Sequence, residues 1–260
     1  MIGFALSLQE EYFNLAKVSL TMGLVLFAID LVLLAIDTGS KSATIRVWRL
    51  VSNWRTSWMA RGTFILATFV ALGLAYAISV WLKATIFPLG IAAAIFSLFT
   101  ILYTAFAVCS TKGIPFWNSA VMIPLFLCSA LCGGIALTFF TFAFAGEIIG
   151  INFLHYLGIG VIGLTVLQLI MLFGYLEAGL HGSMAEAESV HSLTIGPLRL
   201  SFWGGLIAAG LILPIILVSF SLSVETYTCL TTFNLIASTL LLIGGYLLRY
   251  LVLKAGAYLP

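Results

Sequence analysis

Seven stretches of this sequence are apolar for long enough to cross the hydrocarbon of a bilayer, and that feature decides most of what it can fold into. They are Leu15–Asp37, Gly62–Lys83, Phe87–Ser110, Ser119–Ala145, Ile151–Glu177, Phe202–Leu222 and Tyr227–Leu253. About 20 apolar residues, wound as a helix, span about 30 Å of hydrocarbon. In lipid only helices and closed barrels satisfy their own backbone groups, and runs this long without period-2 alternation are helices. Composition agrees: of 260 residues, 62% are hydrophobic and 8% are charged, where a soluble domain carries about 25%. The expected fold class is all-α integral membrane, a bundle of about seven transmembrane helices in a single transmembrane domain over residues 1–260. Ahead of the first run, Ile2–Leu8 reads as the tail of a helix, and Met1 opens no secretory signal pattern.

Eleven Lys+Arg against nine Asp+Glu leave a net charge of +2, far from the dense basic footprint that nucleic acid demands. The distribution says more than the sum. With seven crossings, one face collects Lys41, Arg46, Arg49, Arg55, Arg61, Lys112, Arg199, Arg249 and Lys254, and the other holds Lys17 and Lys83. Basic loops stay cytoplasmic by the positive-inside rule. The basic face, with the C-terminus, is therefore expected on the cytoplasmic side of the cell's inner membrane, unless those cations instead serve a docked partner. Two connections exceed turn length. Thr38–Arg61 is basic and aromatic (Trp48, Trp54, Arg55, Trp58), and Ala178–Ser201 is acidic and polar.

Ionisable groups inside a bilayer are expensive and mark pathways or sites by default. Asp30 is the deepest, about two turns from the basic face, and Asp37 follows seven residues on, on the same stripe of the first long helix. Two acids so placed can pass protons inward; equally, Asp30 can pair with a neighbouring helix and fix packing. Tyr103 sits seven residues from the basic end of its helix, at a depth similar to Asp30. Its phenol can hydrogen-bond a quinone carbonyl, or it can belong to the interfacial aromatic belt. Cys109, Cys128, Cys132 and Cys229 offer neither a disulfide framework nor a cluster-binding loop. His155, His181 and His191 supply no facing pair of helical ligands for a haem. No nucleophile–base set, phosphate loop or zinc site is legible, so bond-making chemistry in the protein itself is not expected.

Several stretches together resemble the NrfD/polysulfide reductase membrane-subunit family. Ser57-Trp58-Met59-Ala60-Arg61-Gly62 is similar to its Ser-x-Met-x-Arg-Gly entry to a helix. Lys112-Gly113-Ile114-Pro115-Phe116-Trp117-Asn118-Ser119 is similar to its Pro-x-Trp-Asn loop. Ala185–Pro197, then Phe202-Trp203-Gly204-Gly205 and Pro214, follow its Gly-Pro…Phe-Trp-x-Gly…Pro pattern, and Gly244–Gly256 is similar to its C-terminal signature.

The resemblance implies a subunit without haem or iron–sulfur cluster of its own, binding quinone or quinol (menaquinone or ubiquinone) as substrate. It would exchange electrons with a ferredoxin-like iron–sulfur subunit attached to a molybdopterin-type catalytic subunit. Tyr103 occupies the helix of the family's quinone-contacting tyrosine, and Asp30 and Asp37 lie on the helix beside that pocket. Docking of the iron–sulfur subunit is expected on Trp54, Arg55, Trp58 and Arg61 and on the loop at Trp117 and Asn118, since interfaces favour aromatic and Arg side chains. The sequence departs from the family at its start. Members normally cross eight times, and the similarity here begins near the end of their first helix, which carries His and Asn quinone contacts in some. A late start, a separate polypeptide supplying the helix, and loss of the helix are the three accounts. The family's Asp-Leu-Gly-Arg-Pro is degraded to Asp37-Thr38-Gly39-Ser40-Lys41. Two other functions remain in view: a purely structural anchor without a working quinone site, and a proton- or ion-translocating transporter, against which stands the absence of a clear inverted repeat.

Overall fold

The computed structural model describes residues 2–8, 12–37, 58–111, 113–145, 151–223 and 227–257. Among the described residues there are helices and turns and no strand. In order along the sequence these are α1 (Ile2–Ser7), α2 (Phe13–Asp37), α3 (Trp58–Trp81), α4 (Phe87–Cys109), a 3₁₀ turn (Pro115–Trp117), α5 (Met122–Ala145), α6 (Ile151–Leu180) and α7 (Met184–Thr194). A π-helix (Ser201–Ile212) then runs directly into α8 (Leu213–Leu222), and α9 (Tyr227–Ala255) is the last element. Seven helical stretches are long and apolar enough to cross a bilayer, one for each run read from the sequence. This is a multi-pass membrane protein.

The helices gather into two compact units, Met1–Ala107 and Val108–Pro260. In the first, α2 and α3 are antiparallel neighbours: Leu24 approaches Gly73, and the rings of Phe27 and Phe69 meet edge to face at 4.9 Å. Helix α1 folds back on α2, with Gly3 against Leu20. Phe4 of α1 lies on Tyr76 and Phe87, at ring distances of 5.7 and 5.9 Å. Ser7 shares a 2.5 Å hydrogen bond with the Tyr76 hydroxyl, deep in this small core.

In the second unit α9 is central, packed on α5, the π-helix and α8, while α6 packs on α5 and α8. Apolar area drives little helix association in lipid, because the lipid tails are as apolar as leucine; close backbone approach does more. Here it falls at Gly210 and Gly244. A Cβ built on Gly210 would stand 2.6 Å from the Cα of Gly244, and one on Gly244 would stand 2.7 Å from both the Cα and the carbonyl oxygen of Gly210. The polar side chains in this core are held mostly by their own helices: Thr165 donates to the Val161 carbonyl at 2.7 Å and Ser238 to the Asn234 carbonyl at 2.6 Å. Between helices, Ser221 of α8 donates to Oδ1 of Asn234 at 3.0 Å.

Two features inside the expected elements differ from a plain reading of the runs. The sixth crossing is π-helical for its first 12 residues, and the amide of Leu213 donates to the carbonyl of Ala208, five residues back. Pro214 gives the reason. It follows at once in mid-crossing, and in α register its ring would meet the carbonyl four residues earlier, that of Gly210, and offer it no donor. A wider turn ahead of the proline relieves that clash. The polar connection after the fifth crossing contains α7, started by a capping box in which Ser183 N–H donates to Glu186 at 2.6 Å and Glu186 N–H donates back to Ser183 Oγ at 3.4 Å.

Gly210→Val and Gly244→Val should each force the π-helix and α9 apart, at the overpacking cost of about 1–3 kcal/mol or more. Melting in detergent, followed by size-exclusion profile, checks this. Gly174→Ala serves as the control, since a Cβ there meets nothing within 4 Å.

Candidate functional site

Helices α3 and α4 are joined by two tyrosine–glycine pairs of opposite sense. At one end Tyr76 of α3 lies over Gly90 of α4, where a Cβ would come within 2.8 Å of the tyrosine ring. At the other, Tyr103 of α4 lies over Gly62 of α3; the three atoms nearest a Cβ on Gly62 are Cζ, Cε2 and the hydroxyl of Tyr103. The two tyrosines differ in what their hydroxyls do. Tyr76 is 1% exposed and its hydroxyl is engaged by Ser7. Tyr103 is half-buried within the crossing Phe87–Cys109, and no described residue hydrogen-bonds its hydroxyl. Inside a membrane span, leaving a hydroxyl without a partner costs free energy.

The α2–α3 register sets the level of Asp30. With Leu24 opposite Gly73 and Phe27 opposite Phe69, Asp30 faces the level of residues 66–67 of α3. That is about 7 Å along the helix axis from the level of Gly62 and Tyr103. Asp30 lies three residues beyond Phe27, about 60° round the helix from the contact with α3, and is exposed, with no hydrogen bond or ion pair to a described residue. Asp37 is the last residue of α2, and its side chain lies outside the described residues. Tyr103, Asp30 and the backbone of Asp37 therefore belong to one unit, with Tyr103 and Asp30 a helical turn apart in level. Arg61, next to Gly62, is exposed.

Of the residues expected to meet a partner, Trp54 and Arg55 lie outside the described residues, and of Trp58 only the helical backbone is described. Trp117 and Asn118 belong to the second unit. There the 3₁₀ turn is held from three sides: Tyr175 of α6 donates to the Phe116 carbonyl at 2.5 Å, the Trp117 indole N–H donates to the Val252 carbonyl of α9 at 3.0 Å, and Phe116 is buried beside Gly179. Gly256 lets the indole approach, since a Cβ there would stand 2.6 Å from its nitrogen. Nearby, Ala257 N–H donates to Ser189 Oγ of α7 at 3.0 Å. The loop before α5, α7 and the C-terminal end of α9 thus meet at one end of this unit. Trp117 has an internal job whatever it touches outside, while Asn118 is exposed.

Sequence reading missed Tyr76 and Tyr175, and took Gly62 only as part of a motif, without its contact to Tyr103. Gly62 carried a faint signal, since a glycine inside a helix costs about 1 kcal/mol against alanine and so calls for a packing reason. Among the described residues no three His, Cys, Asp or Glu side chains gather as metal ligands. His155, near the start of α6, has a buried Nε2 without a partner among the described residues.

Comparison with known proteins returns the same family as the motifs. The family described as "Polysulphide reductase, NrfD" matches residues 4–260. "Protein NrfD homolog" of Haemophilus influenzae is 31% identical over 159 residues, covering 59% of this sequence and 48% of that protein. The polysulfide reductase C polypeptide of Wolinella succinogenes is 32% identical over 162 residues, covering 59% of this sequence and 49% of that protein. The matches span about half the length of these curated relatives.

Trp117→Phe should remove the bond to the Val252 carbonyl and lower the stability of the subunit by about 0.5–1.5 kcal/mol, seen as a lower melting temperature in detergent. A melting temperature equal to wild type, with a partner subunit lost from the complex, would instead place the indole's work outside this protein.

Proposed function

This chain belongs to the NrfD polysulphide reductase family, and we propose that it is the membrane subunit of a respiratory oxidoreductase complex. On this reading it exchanges electrons between a membrane quinone or quinol and a ferredoxin-like iron–sulfur subunit that serves a molybdopterin-type catalytic subunit. The observation that carries the reading is Tyr103: a half-buried phenol inside a crossing whose hydroxyl meets no described partner.

Reduction of a quinone to a quinol takes two electrons and two protons, and oxidation returns them. The electrons come from or go to the partner's cluster. What this protein's residues supply is position and protons. The Tyr103 hydroxyl donates to one carbonyl oxygen, which orients the ring and draws charge toward that oxygen as electrons arrive. Asp30, a turn away in level, and Asp37 beyond it can hand protons inward or outward, carboxylates being fit for such transfer when partly removed from water. Lipid surrounds the crossings, so the quinone enters from the bilayer itself.

The partner's cluster must come near the quinone for electrons to pass. Crossing count puts Tyr103, Asp30 and Asp37 toward the basic end, so the iron–sulfur subunit docks there, on Trp54, Arg55, Trp58 and Arg61 and around Trp117 and Asn118. The nine basic residues of that end against two at the other favour its cytoplasmic orientation in the cell's inner membrane.

In the purified complex, Tyr103→Phe should weaken quinone affinity several-fold, in keeping with one hydrogen bond of about 0.5–1.5 kcal/mol, while reduction of the partner's cluster from the soluble side stays intact. Unchanged quinone kinetics would return Tyr103 to the aromatic belt. Asp30→Asn should slow quinone turnover more than it disturbs assembly; a complex that mostly fails to assemble, with the remainder turning over normally, would make Asp30 a packing group. Photocrosslinkers at positions 55 and 117 should capture the iron–sulfur subunit, and capture from position 83 instead would overturn the docking assignment.

A further inference from the structure

Glycines in this protein meet two kinds of neighbour. At Gly210 and Gly244 the atoms that exclude a side chain are backbone atoms of the other helix, so those glycines let two helices touch. At Gly62 all three nearest atoms belong to the outer end of one side chain, the Cζ, Cε2 and hydroxyl of Tyr103. Helix approach alone leaves that unexplained. The phenol head occupies the volume that any residue with a Cβ would fill, so glycine at position 62 leaves the room in which the hydroxyl stands. The partner pair at the far end of α3 and α4 differs, because Gly90 is covered by Phe4 as well as by Tyr76. There, Ser7 also holds the hydroxyl. Tyr103 has no such holder among the described residues, and its ring head rests against Gly62.

We propose that Gly62 is a positioning residue for the quinone site: it seats the Tyr103 ring so that the hydroxyl meets the quinone carbonyl. This rests on the reading of Tyr103 as the quinone's hydrogen-bond donor. A tyrosine head can swing about its side-chain torsions to escape a new methyl group, whereas a backbone crossing cannot. Gly62→Ala therefore leaves the subunit folded and moves the phenol, in contrast to substitutions at Gly210.

Two measurements on the full-length protein in lipid nanodiscs test this. The first reads the ring itself. With ¹³C-labelled tyrosine, the Tyr103 resonance is the one absent from Tyr103→Phe, and it should shift in Gly62→Ala while the other tyrosine resonances hold. An unmoved Tyr103 resonance overturns the seating, whatever the quinone does. The second titrates decylubiquinone and menadione. Gly62→Ala should weaken binding of the preferred probe at least as much as Tyr103→Phe, by about three-fold or more, and should cause no further loss when added to Tyr103→Leu. An equal loss in the Tyr103→Leu background makes Gly62 a general packing glycine and overturns the proposal. A shifted resonance with Tyr103→Phe binding both probes as wild type keeps the seat, but removes the quinone from it, and so overturns the functional half of the inference.

Discussion

Everything in this structure follows from a solvent that forms no hydrogen bonds. In hydrocarbon each unpaired backbone group costs several kcal/mol, so each crossing must close its own ladder. Among the described residues there are accordingly helices and turns and no strand. The same solvent removes the usual reason for helices to assemble, since leaving lipid gains an apolar side chain little. What remains is contact quality. Helices meet where side chains are absent, at Gly210 with Gly244 and at Gly62 under Tyr103, and where one helix can hold a polar group of another element, as Tyr175 holds the Phe116 carbonyl and Trp117 the Val252 carbonyl.

The two tyrosine–glycine pairs of α3 and α4 show how one local arrangement serves two ends. The Tyr76 pair is closed, with the ring buried under Phe4 and the hydroxyl satisfied by Ser7. The Tyr103 pair is built alike but leaves its hydroxyl without a described partner. The two pairs thus differ by the presence or absence of one hydrogen-bonding neighbour among the described residues. The carboxylate of Asp30 and the phenol of Tyr103 come from two helices that each contact α3, about a turn apart in level.

The sequence made the crossings legible because length and apolarity are one-dimensional properties that folding does not alter. Position along each helix was legible too, since it is a count of residues. Facing was not legible. A helix surrounded by lipid and by other helices is apolar all round and shows no stripe from which its inner side can be read. That is why the bond from the Trp117 indole to the Val252 carbonyl, inside its own unit, was not legible in a loop expected to meet a partner. It is also why the role of Gly62 needed coordinates. The amphipathic α7 did carry a signal, Ser183 followed three residues later by Glu186, inside a connection that composition alone marked as a polar loop.

The π-helix ahead of Pro214 also sets how far this crossing reaches. A helix with more residues in each turn advances less for each of them, so Ser201–Leu222 covers less of the membrane normal than 22 residues in α geometry would. Its neighbour α9 has 28 residues in its apolar span. Two adjacent helices of unequal apolar height cannot both match one flat slab of hydrocarbon. The longer leans, or the lipid beside the shorter draws in. Either way, the wider turn that accommodates a single proline changes what its neighbour or the surrounding lipid must do to match it.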